Sequence, residues 1–110
     1  MEMLAEKSCK ACHKGDPPLS RQQTEQLLQQ TTDWTLDGDD QCIQRSFSFK
    51  NFYETIAFVN AVAWIANRED HHPDMHISYN RCIVRYSTHS VGGLSENDFI
   101  CAAKIDALLY

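Results

Sequence analysis

The chain has no run of lysines or arginines, no long apolar stretch and no internal repeat. Ten Lys and Arg stand against fifteen Asp and Glu, for a formal charge of −5. Without a basic cluster there is no electrostatic footprint for a nucleic acid or an anionic membrane. No apolar segment approaches the roughly 20 residues of a membrane-spanning helix, and the string MEMLAEKSCK lacks the apolar core of a signal peptide. A cytoplasmic location is therefore expected. Cysteine is present, but five is an odd number. With no export signal the expectation is reduced thiols rather than a disulfide framework. The absence of repeats or low-complexity tracts, in 110 residues that are 43% apolar, suits one domain with one modest core.

Four of the five histidines fall between Glu69 and His89, EDHHPDMHISYNRCIVRYSTH. His71 and His72 are adjacent, and Pro73 disfavours helical geometry at His72, so a helix entering from the left should end here. Beyond it Met75, Ile77 and Tyr79 alternate with polar residues, as do Cys82, Val84, Tyr86 and Thr88, which predicts two half-buried strands. A two-residue hairpin loop at Asn80-Arg81 would pair Tyr79 with Cys82, Ile77 with Val84 and Met75 with Tyr86, gathering apolar side chains on one face. Continued outward, that register sets His72 opposite His89. His71, His72 and His89 are then one imidazole cluster at the mouth of a hairpin.

The rest of the chain reads as support for this stretch. Residues 1–18 form a polar N-terminal extension and residues 19–110 the domain. The extension carries CKACH, which fits the haem-attachment pattern C-x-x-C-H. Such attachment follows export, and a zinc site would need ligands that the neighbourhood lacks, so the segment is read as a loosely packed tail with Cys9, Cys12 and His13 unemployed. Ser20 and Gln23 form a capping box for a first helix to about Gln30. Trp34 to Leu36 is a short strand, Asp37-Gly38-Asp39-Asp40 a turn, and Gln41 to Phe49 a longer strand with Ile43, Phe47 and Phe49 on one side. Asn51 caps a long helix to about Arg68, with Glu54 as the reciprocal partner. Its apolar surface is wider than a single stripe, which suits burial on the sheet and against another subunit. After Gly92-Gly93, Ser95 and Asp98 start a last helix, with Leu94 and Phe99 as a hydrophobic staple. The order α-β-β-α-β-β-α predicts an α+β fold, a four-stranded antiparallel sheet with three helices on one face.

Three readings of the cluster stay open on the residues alone. Imidazoles with an ordinary pKa of about 6.5 can give and take protons at neutral pH. His71, His72 and His89 or His76, with Asp70 or Asp74, could ligate a metal. A histidine near a strand end can also be a satisfied polar residue, which is the reading kept for His76 and His13.

The run Glu69-Asp70-His71-His72-Pro73-Asp74, followed by Tyr79-Asn80, Ser87-Thr88-His89, Gly93-Leu94-Ser95 and Asp98, closely resembles the pterin-4a-carbinolamine dehydratases, of the bacterial type that accompanies phenylalanine hydroxylase. The resemblance extends from about Leu19 to Tyr110. It implies dehydration of the 4a-hydroxytetrahydropterin released by aromatic amino-acid hydroxylases to quinonoid dihydropterin. It implies His71, His72 and His89 as the catalytic residues, no metal or other cofactor, and a homodimer or homotetramer functionally linked to a hydroxylase. Asp70, Pro73, Ser87, Thr88 and Trp34 are the candidate substrate-binding residues. Each has a plainer alternative: a solvated loop carboxylate, a helix stop, strand-end hydroxyls and a core indole. One position departs from the family. Many members have an acidic residue four places before the first histidine, where this chain has Asn67, an amide that can hydrogen-bond but brings no charge. Some members bind a transcription factor, and relatives without the full histidine set assist enzyme assembly. A non-catalytic binding role is therefore the alternative expectation.

Overall fold

The computed structural model describes residues 3–38 and 41–109. It contains α1 (Arg21–Leu28), β1 (Thr35–Asp37), β2 (Cys42–Ser48), α2 (Phe52–Glu69), β3 (Asp74–Ser78), β4 (Arg81–Tyr86) and α3 (Glu96–Asp106), with single 3-10 turns at Leu4–Glu6, His89–Val91 and Ala107–Leu109. The α-β-β-α-β-β-α order and the four-stranded antiparallel sheet match the sequence expectation; the sheet order is β1-β2-β4-β3. Of the expected turn at 37–40, Asp39 and Asp40 lie outside the described residues. Gln41 N–H closes the connection onto the carbonyls of Asp37 and Gly38 (3.2 and 3.1 Å).

Local chemistry accounts for the helix starts. Ser20 Oγ accepts from Gln23 N–H (3.2 Å) and Gln23 Oε1 accepts from Ser20 N–H (2.9 Å), a complete capping box. Asn51 Oδ1 accepts from Glu54 N–H (2.9 Å). Glu54 reaches back one residue further than expected, to Lys50 N–H (3.0 Å). In β2 and β4, Ile43, Phe47, Cys82, Val84 and Tyr86 share one sheet face and are buried, as are Phe58, Val62 and Ile65 of α2 and Phe99, Ile100 and Ile105 of α3. The opposite face carries exposed Ser46, Arg81, His76 and Ser78. One-sided burial is what the period-two pattern encodes.

The register of the β3–β4 hairpin differs from the expected one by two residues. Met75 pairs with Val84 and Ile77 with Cys82, and the loop is Tyr79-Asn80. Neither loop residue takes a positive φ. Two contacts from outside the hairpin hold the loop: Asn80 O accepts from Phe49 N–H (2.8 Å) and Tyr79 O accepts from Thr55 Oγ1 (2.9 Å). A two-residue shift leaves every side chain on its own face, so alternation alone could not distinguish the registers. With β3 beginning at Asp74 and β4 ending at Tyr86, His72 and His89 lie outside the ladder and are not strand partners.

The N-terminal segment is packed rather than loose. Leu4 is 3% exposed and joins the core. Lys104 Nζ donates to Ala5 O (2.9 Å), and Lys7 Nζ pairs with Glu96 (3.0 Å). Lys10 N–H donates to Asn97 Oδ1 (3.0 Å), while Asn97 Nδ2 donates back to Lys10 O (2.6 Å). A lone leucine in a polar string has no periodicity to announce this docking.

Candidate active site

Helix α2 ends at Asp70, which takes the left-handed conformation (φ 52°, ψ 44°) and donates its N–H to Ala66 O. That reversal, normally the task of glycine, turns the chain sharply into His71 and His72. On the other side β4 runs out at Tyr86, and Gly92 (φ 69°) folds the His89–Val91 turn back so that Thr88 and Gly93 bridge. The two turns bring His71, His72 and His89 to one cleft of about 470 Å³, together with Asp70, Ser87 and Thr88. Lys10, Ala11, Cys12, Ser90 and Asn97 complete its lining. Pro73 and Trp34 are not among the lining residues. Trp34 is 5% exposed, lies edge-on to Phe47 and donates its indole N–H to Asp106 Oδ1 (2.8 Å), as a core residue does.

The three imidazoles have different surroundings. His71 is half-buried, and its Nε2 lies 2.6 Å from Asp98 Oδ1. Its ring stacks on Tyr86 with centroids 5.2 Å apart, and Tyr86 Oη donates to His71 O (3.3 Å). Burial is the largest single influence on His71 and opposes its charge. The hydrogen bond and charge of Asp98, aided by the charges of Cys101 and Asp70, together outweigh it and raise the pKa above 6.5. His72 is exposed, and its Nε2 lies 3.2 Å from Asn67 Oδ1. If the amide oxygen accepts Nε2–H, the neutral ring keeps its lone pair on Nδ1. His89 is exposed at the start of its 3-10 turn.

Asp98, in the sequence a helix start and one residue of the family resemblance, is in the structure the partner of His71. Its side chain is fully buried. Oδ2 accepts from Ser95 N–H (3.0 Å) and Thr88 Oγ1 (2.8 Å), which leaves Oδ1 for His71. Thr88, 5% exposed, thus spends its hydroxyl on Asp98 and on Ser95 Oγ (2.8 Å). The capping-box spacing from Ser95 to Asp98 was the available signal, but it predicts the helix and says nothing of the imidazole.

Because the folded-state pKa of His71 is raised, its ion pair stabilises the fold fully below the ordinary value of about 6.5, and this contribution is lost as pH rises through the folded value. The stability advantage of the native chain over His71→Gln is expected to shrink with rising pH. Urea midpoints from about pH 5.5 to about pH 9 check this. An advantage that grew with pH would contradict the raised value.

The model of the family described as pterin 4 alpha carbinolamine dehydratase matches residues 17–108. A protein of Nitrosomonas eutropha, provisionally named pterin-4-alpha-carbinolamine dehydratase, is 59% identical over 107 residues, covering 96% of this chain and 93% of its own. The crystal structure of a transcriptional coactivator/pterin dehydratase from Brucella melitensis is similar with a TM-score of 0.79 and 33% identity, over 83% of this chain and 97% of that chain. A pterin dehydratase-like protein identified as a RuBisCO assembly factor in the alpha-carboxysome has a TM-score of 0.61 over 70% of this chain and 89% of that chain. At 22% identity this is a likeness of fold.

Proposed function

The chain belongs to the pterin-4a-carbinolamine dehydratase family, and on that premise we propose that it removes water from 4a-hydroxytetrahydropterin to give quinonoid dihydropterin, by acid–base exchange among His71, His72 and His89. The convergence of these three imidazoles in one cleft carries the proposal.

The reaction asks for two proton transfers. The C4a hydroxyl must be protonated to leave as water, and the N5 proton must depart so that its electron pair can expel the water. His71 is the ring whose surroundings favour the imidazolium, and Asp98 occupies its Nε2, so Nδ1 is the nitrogen left for exchange. We assign it the donor side. His72 and His89, both exposed in the same cleft, take the acceptor side. Asp70 adds negative charge beside His71, and Ser87 offers a hydroxyl to the bound pterin. Such a product would be reduced again for use by an aromatic amino-acid hydroxylase, which places the activity in pterin recycling.

The test is dehydration of freshly generated 4a-hydroxytetrahydropterin, followed against its spontaneous rate. Acceleration by metal-free protein is the expected result. If well-folded protein gives no acceleration, the reading moves to a pterin-independent binding role. That the Brucella melitensis protein is named a transcriptional coactivator as well as a pterin dehydratase makes that the second reading.

A further inference from the structure

Beside the histidine cleft, and outside the proton transfers assigned to it, two thiols face each other. Cys9 Sγ lies 3.6 Å from Cys101 Sγ, and both are free thiols. Cys101 sits on α3, three residues after Asp98, and is fully buried; Cys9 is half-buried. The backbone around Cys9 is held at the same place. Its N–H donates to Glu69 Oε1 (2.8 Å), and the following residue is clamped to Asn97 by the paired hydrogen bonds described above. A disulfide has an S–S length of about 2.0 Å, so closure needs the sulfurs to approach by about 1.6 Å, within the reach of two χ1 adjustments.

The electrostatics make the inner sulfur the more acidic of the two. The hydrogen bond from Cys9 is the largest influence lowering the pKa of Cys101; burial opposes it, while the charge of His71 and the Tyr86 hydroxyl assist. The same hydrogen bond to Cys101, together with burial, pushes Cys9 up.

We propose that Cys9 and Cys101 form a reversible thiol–disulfide pair, closed by a small-molecule disulfide, which fastens the N-terminal segment to α3 as a fixed wall of the cleft. Cys9, the sulfur nearer solvent, gives up its proton to solvent and attacks one sulfur of the small disulfide. A mixed disulfide forms and one small thiolate departs, taking the proton from Cys101. The Cys101 thiolate then attacks the Cys9 sulfur and expels the second small thiolate. Two electrons pass from the protein sulfurs to the external disulfide, which ends as two small thiols or thiolates. Lys10, Ala11 and Cys12, which follow directly, line the cleft, so the bridge immobilises that wall. The bridge stands or falls apart from the dehydratase reading, because its formation is seen without an activity.

The experiment treats the full chain with excess oxidised glutathione, or with a phosphine reductant, then maps cysteine peptides by mass spectrometry under non-reducing conditions. The expected result is loss of two hydrogens, a linked Cys9–Cys101 peptide pair, a rise in Tm by several degrees because a 92-residue separation is closed, and full reversal by the phosphine. Cys9→Ser should abolish the linked pair, and its half-buried position makes it the variant that keeps the fold. Glutathione adducts without an internal bridge, a bridge from Cys9 to Cys12, or no reaction would each overturn the proposal.

Discussion

Alanine in place of His72 is expected to lower the catalysed dehydration rate by about 10²- to 10⁴-fold, the range a positioned acid–base group contributes, with little change in stability. The separation of the two effects follows from position. His72 is exposed, and its ring bonds to the exposed amide of Asn67, so deleting it opens no core cavity and strands no buried partner. Stopped-flow measurement of kcat on freshly generated 4a-hydroxytetrahydropterin, with urea unfolding of the same preparation, reads both quantities. Unchanged turnover in a folded variant would remove His72 from the proposed mechanism. A loss of turnover matched by a large loss of stability would mean that the ring serves the fold instead.

Asp98→Ala should do the opposite and strike both at once. The carboxylate is fully buried and receives His71, Thr88 Oγ1 and Ser95 N–H. Its removal leaves a half-buried imidazole without its counter-charge and the first turn of α3 without an acceptor. Breaking a buried charged pair in this way costs about 3–5 kcal/mol, a large share of a small domain's stability. Asp98→Asn keeps the shape and part of the hydrogen bonding, so it should fold. Without the counter-charge, burial then dominates His71, and its pKa should fall relative to the native chain. An NMR titration of the His71 ring in Asp98→Asn reads that fall directly, and turnover near neutral pH should drop with it. A His71 titration unmoved by Asp98→Asn would dissociate the two residues.

The sequence carried the frame of this molecule better than its joints. Alternating apolar residues marked both strands of the hairpin, and the polar spacing of Ser20-Gln23 and Asn51-Glu54 marked helix starts, because these signals are local and periodic. The hairpin register escaped because period two is blind to a shift of two, and Thr55 and Phe49, which settle it, are far from the loop in sequence. The three histidines were legible as a group, although the geometry that gathers them is a left-handed Asp70 and a 3-10 turn, not strand pairing. Of the two readings of Trp34, pocket border and core indole, the structure gives the second: its indole satisfies Asp106 in the core. The contacts of Asp98 and Cys101 were not legible, since the imidazole and thiol that face them come from 27 and 92 positions away.

The two buried carboxylates of α3 give that helix a mechanical character. Asp98 fixes its first turn to His71, and Asp106 fixes its last to β2 through Arg45 (2.7 Å) and to the segment before β1 through the Trp34 indole and Thr32 N–H (2.9 Å). Asp106 follows Asp98 by eight positions, a rise of about 12 Å along the helix. A rod pinned at both ends neither slides nor frays independently. The carboxylate that holds the His71 imidazole therefore stands on a helix whose other end is anchored independently, by Asp106.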